Sequence, residues 1–336
     1  MAQFPNKTGP NSGVWTLEDV YNARQGDNWP GSGGSLGLFA GGVSPSQTNV
    51  IAQINIKSAA NATDFGDLIG NANKNIGSMG SSFTRGVFAG GQTDGSYTAG
   101  VNVVQYVDFA TTGNAVDFGD STISAERRAS SGGGSDQTRG IAYGGFNFQP
   151  SDVFYNVMDY ITFASIGNST DFGDMTVTAQ ARAQCGSNTR ATTAGGLSNG
   201  STFRNNIDYI TIQTTGNSTD FGDLNNASAN LAAASSSTRG TFAGGYTPSS
   251  LNVIDFITIA STGNATDFGD LIAATYGLAG VSNGSRGVFG GGTNPTITNV
   301  MAFIDIATTG NATDFGDLIA ATSGLAGSSN GHGGLQ

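Results

Sequence analysis

The 336-residue chain holds 53 glycines, 37% hydrophobic and only 11% charged residues, and a net charge of −11 from 24 acidic and 13 basic side chains. That is too apolar for a disordered chain, and without a three-residue glycine period it is not collagenous. Three lysines (Lys7, Lys57, Lys74) and no basic cluster argue against nucleic acid as a partner, no run of about 18 apolar residues spans a membrane, and Cys185, the single cysteine, leaves no internal disulfide.

The first element is an extension, residues 1–34, which holds both tryptophans, Trp15 and Trp29. Its opening, MAQFPNKTGPNSG, lacks the apolar stretch of a secretory signal, so synthesis in a reducing cytoplasm is expected. Thr16 followed by Asp19 approximates a capping box and predicts a short helix ending at Gly26. Leu17, Val20, Tyr21 and Arg24 would share one face of it. An aromatic arm beside a self-sufficient body reads as a docking element, with Trp15, Leu17, Val20, Tyr21 and Trp29 as its contact residues. The other reading is a plug folded over one face of that body.

Everything after about residue 34 repeats. TDFGD stands at Thr63–Asp67, Thr170–Asp174, Thr219–Asp223, Thr266–Asp270 and Thr313–Asp317, with VDFGD at Val116–Asp120. RGVFAGG begins at Arg85, its relatives at Arg139, Arg190, Arg239 and Arg286, and a variant without the arginine at Leu36. NVIDFITIA begins at Asn252, with counterparts at Asn49, Asn102, Asn156, Asn205 and Asn299. Six units start 47 to 54 residues apart, and each reads as four short strands: one of small residues (Tyr276–Val281 in one unit), one ending in Gly-Gly, one alternating, and one through DFGD. Such a sheet cannot hide both faces alone, so six must pack around an axis. The unit resembles the Kelch repeat, most specifically in the double glycines Gly41-Gly42, Gly90-Gly91, Gly144-Gly145, Gly195-Gly196, Gly244-Gly245 and Gly291-Gly292. The fourth-strand Trp of that family is replaced by Phe65, Phe118, Phe172, Phe221, Phe268 and Phe315. The resemblance implies an all-β, six-bladed propeller over residues 35–336. The first unit lacks its first strand, and Ser323–Gly331 at the far end has that strand's character. The C-terminus is therefore expected to complete the first blade and remove an open edge.

Spacing separates two faces. From the third-strand Asn to the first Asp of DFGD it is 15 residues in every unit, whereas from the second-strand start to that Asn it is 13, 17, 17, 15, 13 and 13. Variation thus falls on the connections between strands 2 and 3 and between strand 4 and the next strand 1, which share one face of the disc. Tyr97, Phe146, Phe148, Phe203, Arg204 and Tyr246 are the expected binding residues of that loop face, alongside Phe154 and Tyr155, suited to sugars or protein surfaces. Packing over the blade ends is the alternative.

Chemistry-bearing residues are sparse. The DFGD carboxylates come in pairs, too few oxygens for Ca²⁺, so no metal or other cofactor is expected. They are expected to cap turns or pair with the repeated arginines. Asn61, Asn168, Asn217, Asn264 and Asn311 match glycosylation sequons and are expected to form Asx turns instead. The only histidine, His332, is the fifth residue from the end, which argues against a Ser/His or Cys/His catalytic site.

The stretch GVWTLEDVYNARQGDNWP (Gly13–Pro30) resembles segments in structural proteins of tailed phages, especially marine ones, and the TDFGD and GNAT repeats are similar to those of phage virion propellers. The resemblance implies a non-catalytic virion protein, a head decoration or a tail or fibre component, docked by its arm to other virion proteins. A carbohydrate-binding adhesin gripping a host surface glycan is the alternative, and a propeller-type glycoside hydrolase a remote one.

Overall fold

A computed structural model of the chain describes residues 34–70, 75–92, 100–123, 134–147, 153–199 and 201–335. The expected helix and Trp15, Leu17, Val20, Tyr21 and Trp29 lie outside these residues.

The repeats form six antiparallel blades in a propeller. In the fifth blade the strands run Ala232–Ser235, Arg239–Ala243, Val253–Thr258 and Thr266–Asp270 from the axis outward, each paired to the one before. Five blades have four strands. In the third, Arg139–Asn147, Val153–Thr162 and Thr170–Asp174 pair in the same order, and the innermost strand comes down, among the described residues, to a bridge between Ser135 and Gly140. The first strand of a unit is shorter than the sequence suggests; in the sixth blade it is Ala279–Ser282.

Residue choice follows distance from the axis. Inner strands such as Ala232–Ser235 are buried throughout, because neighbouring blades cover both sides. They converge so closely that a Cβ on Gly327 would come within 2.2 Å of the Gly280 carbonyl oxygen of the adjacent blade, hence Gly, Ala and Ser. Third strands alternate, and outer strands bury only the phenylalanine of DFGD. The apolar core is correspondingly divided into six clusters, one at each junction between blades. One holds Phe221 and Leu224 of blade 4 against Phe242, Ile257 and Ile259 of blade 5.

Closure is as expected. Ala326–Ser329 pairs antiparallel with Leu36–Ala40, from Gly37 opposite Ser329 to Ala40 opposite Ala326, so both ends of the described chain build blade 1.

The outer rim is stitched from blade to blade. The peptide N–H of the last aspartate in each DFGD donates to the side-chain oxygen of an asparagine in the next blade: Asp67 to Asn114, Asp120 to Asn168, Asp174 to Asn217, Asp223 to Asn264, Asp270 to Asn311 and Asp317 to Asn61, all at 3.0–3.1 Å. The asparagines therefore reach across a blade junction rather than forming the expected Asx turns. The DFGD glycine allows this approach: at Gly222, with φ +147, a Cβ would sit 2.4 Å from the Gly263 carbonyl oxygen of the next blade.

The repeated arginines do not pair with the DFGD aspartates, contrary to the sequence expectation. Each guanidinium lies over the third-strand ring of its own blade (Arg190 over Tyr209 at 4.3 Å) and donates to a carbonyl of the next, as Arg190 does to Ile259 at 2.9 Å. Arg85, Arg139, Arg239 and Arg286 repeat this arrangement. The aromatic in turn meets the DFGD phenylalanine edge-on, as Tyr209 meets Phe221 at 5.9 Å. A planar cation that ties a strand end to its neighbour is satisfied by the carbonyls exposed there, so the carboxylates are left on the outer rim, where Asp64 and its equivalents are exposed.

Candidate functional site

The two ends of the central channel differ. At the end carrying the 3–4 turns, residues 331–335 enter the channel and Gly333–Leu335 forms a buried 3₁₀ turn. A Cβ on Gly333 would lie 2.0 Å from the Ser236 carbonyl oxygen, and one on Gly334 1.8 Å from that of Ser135, so the channel accepts only a glycine-rich plug.

His332 sits inside this plug, 1% exposed. Its Nδ1 accepts the Gly334 N–H at 3.0 Å, so the ring proton is on Nε2, which faces Ser135 Oγ at 3.0 Å and the Ser81 carbonyl at 3.3 Å. Ser135 Oγ also receives the Ser81 N–H and donates to the Ser81 carbonyl, both at 3.0 Å. The imidazole is therefore a donor to the serine, the reverse of a general base. Burial drives its pKa down to about 4, keeping it neutral. Burial likewise pushes the Cys185 thiol up to about 12, far from a reactive thiolate. No group of three or more His, Cys, Asp or Glu among the described residues could hold a metal ion.

The other end carries the variable loops. The 2–3 loops and 4–1 connections do share this face: bridges join Val43 to Ser323, Gln180 to Leu197, Ala229 to Tyr246 and Tyr276 to Thr293. Of the residues expected here, Tyr97 and Phe148 lie outside the described residues. Phe146 is not exposed; it is 3% accessible and packs on Phe154 at 4.6 Å, because strands 2 and 3 of blade 3 continue into one long hairpin that buries it. Arg204 is held within the loop face, its Nε donating to Ser198 Oγ at 3.1 Å. Phe203 and Tyr246 are half-buried and meet at 5.8 Å, and Tyr246 meets Tyr276, which the sequence reading missed, at 5.1 Å. The three rings form a ladder across blades 4, 5 and 6.

Beside this ladder, at the channel mouth, lies a cavity of about 330 Å³ whose polar lining is Asn75, Asn230, Tyr276, Thr293 and Ser323. Asn75 (φ 55), Asn230 (φ 59), Gly277 (φ 69) and Gly324 (φ 71) on its wall belong, with Ala181 (φ 56), to a series of left-handed residues in five of the 4–1 connections. The N–H of one donates to the carbonyl of the preceding one: Asn230 to Ala181, Gly277 to Asn230 and Gly324 to Gly277, at 2.8–2.9 Å. Asn and Gly are the residues that best tolerate this backbone, a signal readable seven or eight residues after four of the six DFGD segments, with Ala181 after a fifth.

Further out, the blade junctions differ in one position. The third-strand residue opposite the first aspartate of DFGD is Gln105, Asp159, Asp208 or Asp255 in blades 2 to 5 and Ala302 or Ala52 in blades 6 and 1. In the first group the polar side chain reaches the residue two beyond the preceding DFGD. Gln105 accepts from the Ile69 N–H, Asp159 from the Thr122 N–H, Asp208 from the Thr176 hydroxyl and Asp255 from both Asn225 nitrogens. Alanine offers nothing to the equivalent Ile272 and Ile319. There the junctions open as two apolar clefts of about 100 and 150 Å³, with Leu278, Phe289 and Val300 in one and Leu325, Phe39 and Val50 in the other. Ile272 and Ile319 stand at their edges about half exposed, at 52% and 50%. The channel-mouth cavity and both clefts thus lie around blades 5, 6 and 1, whose 2–3 loops are short.

Blade 4 carries the opposite solution. Arg182, where other connections have Leu231, Leu278 or Leu325, is 1% exposed and pairs with buried Asp208 at 3.2 Å. Burial lowers its pKa and the Asp208 carboxylate opposes that shift. This junction is closed by an ion pair.

No helix among the described residues is long and apolar enough to cross a membrane. Comparison with known proteins finds no matching family model and no significantly similar curated sequence.

Proposed function

We propose that this protein is a non-catalytic binding propeller of a phage virion, anchored through residues 1–34 and presenting the face with the variable loops to a partner. The observation that carries the reading is the contrast between the ends of the ring. One is plugged and tied by near-identical arginine-to-carbonyl contacts in five of the six blades, and the other holds the cavity, the aromatic ladder and both apolar clefts. The described chain begins at Gly34 against Asn330 and Gly331, at the plugged end. An anchor there leaves the loop face pointing outward. Residues set on a rigid scaffold and free of structural duty are where recognition collects. The direction of the His332 hydrogen bonds and the burial of Cys185 support a non-catalytic role. The virion assignment is supported by the resemblance of Gly13–Pro30 and of the TDFGD units to phage structural proteins.

Deleting residues 1–34 tests it. The expected outcome is a ring that melts near the full-length temperature yet is missing from purified particles. Normal incorporation of the truncated chain would refute the anchoring role, and so would a full-length protein absent from particles altogether.

A further inference from the structure

We propose that the channel-mouth cavity is a binding site for a neutral, hydroxyl-rich ring, a single sugar unit of a glycan. Its volume, about 330 Å³, lies at the small end of the range of roughly 300–1,000 Å³ typical of small-ligand sites. The ligand class follows from what lines it. Among the described residues no charged side chain does, in a chain of net charge −11, so these residues offer a phosphate or carboxylate no cation to replace its hydration. The lining offers amides at Asn75 and Asn230 and hydroxyls at Tyr276, Thr293 and Ser323, groups that both donate and accept. A sugar presents the same alternation of donor and acceptor at successive carbons. The Asn75 Nδ2 is shut off from solvent and has no hydrogen-bond partner, leaving a donor unused.

Shape points the same way. Gly277 and Gly324 lie on the cavity wall, so a ligand can approach the peptide backbone where no Cβ intervenes. Tyr276 adds an aromatic surface already immobilised against Tyr246 at 5.1 Å, so little side-chain freedom is lost on stacking a sugar ring. A purely apolar side chain would find better surroundings in the clefts lined by Ala52 and Ala302, where Leu278 and Phe289, or Leu325 and Phe39, supply a larger apolar wall beside a few hydroxyls and one amide. The proposal rests on the loop face being the recognition surface. It can fail separately from virion anchoring, because binding to the purified full-length chain needs no particle.

The test is saturation-transfer NMR of the full-length protein with D-glucose, D-galactose, D-mannose, N-acetyl-D-glucosamine, N-acetyl-D-galactosamine and L-fucose. Glucose 6-phosphate and sialic acid serve as anionic counterparts. At least one neutral sugar should bind, and its Kd should weaken roughly tenfold or more in Tyr276→Ala and in Asn230→Gly. The second variant keeps the left-handed backbone, since Gly277 occupies the equivalent place in the next blade. Tyr276→Phe should lose less than Tyr276→Ala. Unchanged melting temperatures separate these losses from misfolding. No signal from any neutral sugar at about 10 mM, tighter binding of the anionic pair, or binding indifferent to both substitutions would overturn the proposal.

Discussion

The two ends of the ring are made from the same six repeats and obey different rules. Along the plugged end and the outer rim the units repeat one arrangement: a guanidinium over an edge-on aromatic pair within the blade, with that guanidinium reaching a carbonyl and a rim peptide N–H reaching an asparagine of the next. Blade 1 is the exception. It has Leu36 and Gln53 in place of the cation and the ring, and the Gln53 side chain bonds the Asp64 carbonyl instead. At the loop end the junctions solve the same problem in four ways: a glutamine, a carboxylate, an ion pair, or, at the two adjoining junctions of blades 6 and 1, an open cleft. The difference teaches that ring closure is secured at one end, which frees the other to vary without loss of fold.

The largest test of that division is Gly222→Ala. The new Cβ would meet the Gly263 carbonyl oxygen at 2.4 Å and force an alanine to φ +147. Unfolding by denaturant should show a loss of about 3–5 kcal/mol from overpacking and backbone strain combined. A loss below about 1 kcal/mol would show that the stitched rim is not what holds the blades in place.

Next comes the plug. Folding favours neutral His332, with its pKa near 4 instead of 6.5, so the unfolded chain takes up the proton first. Stability from this group is complete above about pH 6.5 and falls as the pH drops toward 4, by about 3 kcal/mol in all. The difference in stability between the wild type and His332→Asn, measured across that window, should carry this slope. Parallel curves would mean the imidazole is not buried in the channel.

The smallest expected effect lies on the loop face. Ala302→Asp copies blade 5 into blade 6 and should let the new carboxylate accept the Ile272 N–H, as Asp255 accepts from Asn225. Stability should change by less than about 1 kcal/mol, while hydrogen exchange at the Ile272 amide slows. A large destabilisation would mean that the cleft is a packed junction rather than spare surface.

Much of this was legible in the chain itself. Blade number, strand order and closure by Ser323–Gly331 follow from repeat spacing, because each unit must bury its sheet against another. The faces could be told apart by where length varies. The site was less legible. Long, aromatic-rich loops drew attention to blades 2 and 3, yet Phe146 is consumed by a hairpin, and the cavity gathers short-loop residues such as Asn75, Tyr276 and Ser323, which lie far apart in the chain. The DFGD aspartates and repeated arginines were readable as architectural, but not their partners.

Periodicity, glycine placement and the alternation of apolar residues therefore determined the architecture, since they act within a unit or between consecutive ones. Which acceptor each arginine meets, which junction stays open, and that His332 donates to Ser135 were decided only in the closed ring. Those contacts join residues as far as 251 positions apart, and pairing at such range depends on the curvature of the whole assembly. No local pattern encodes it.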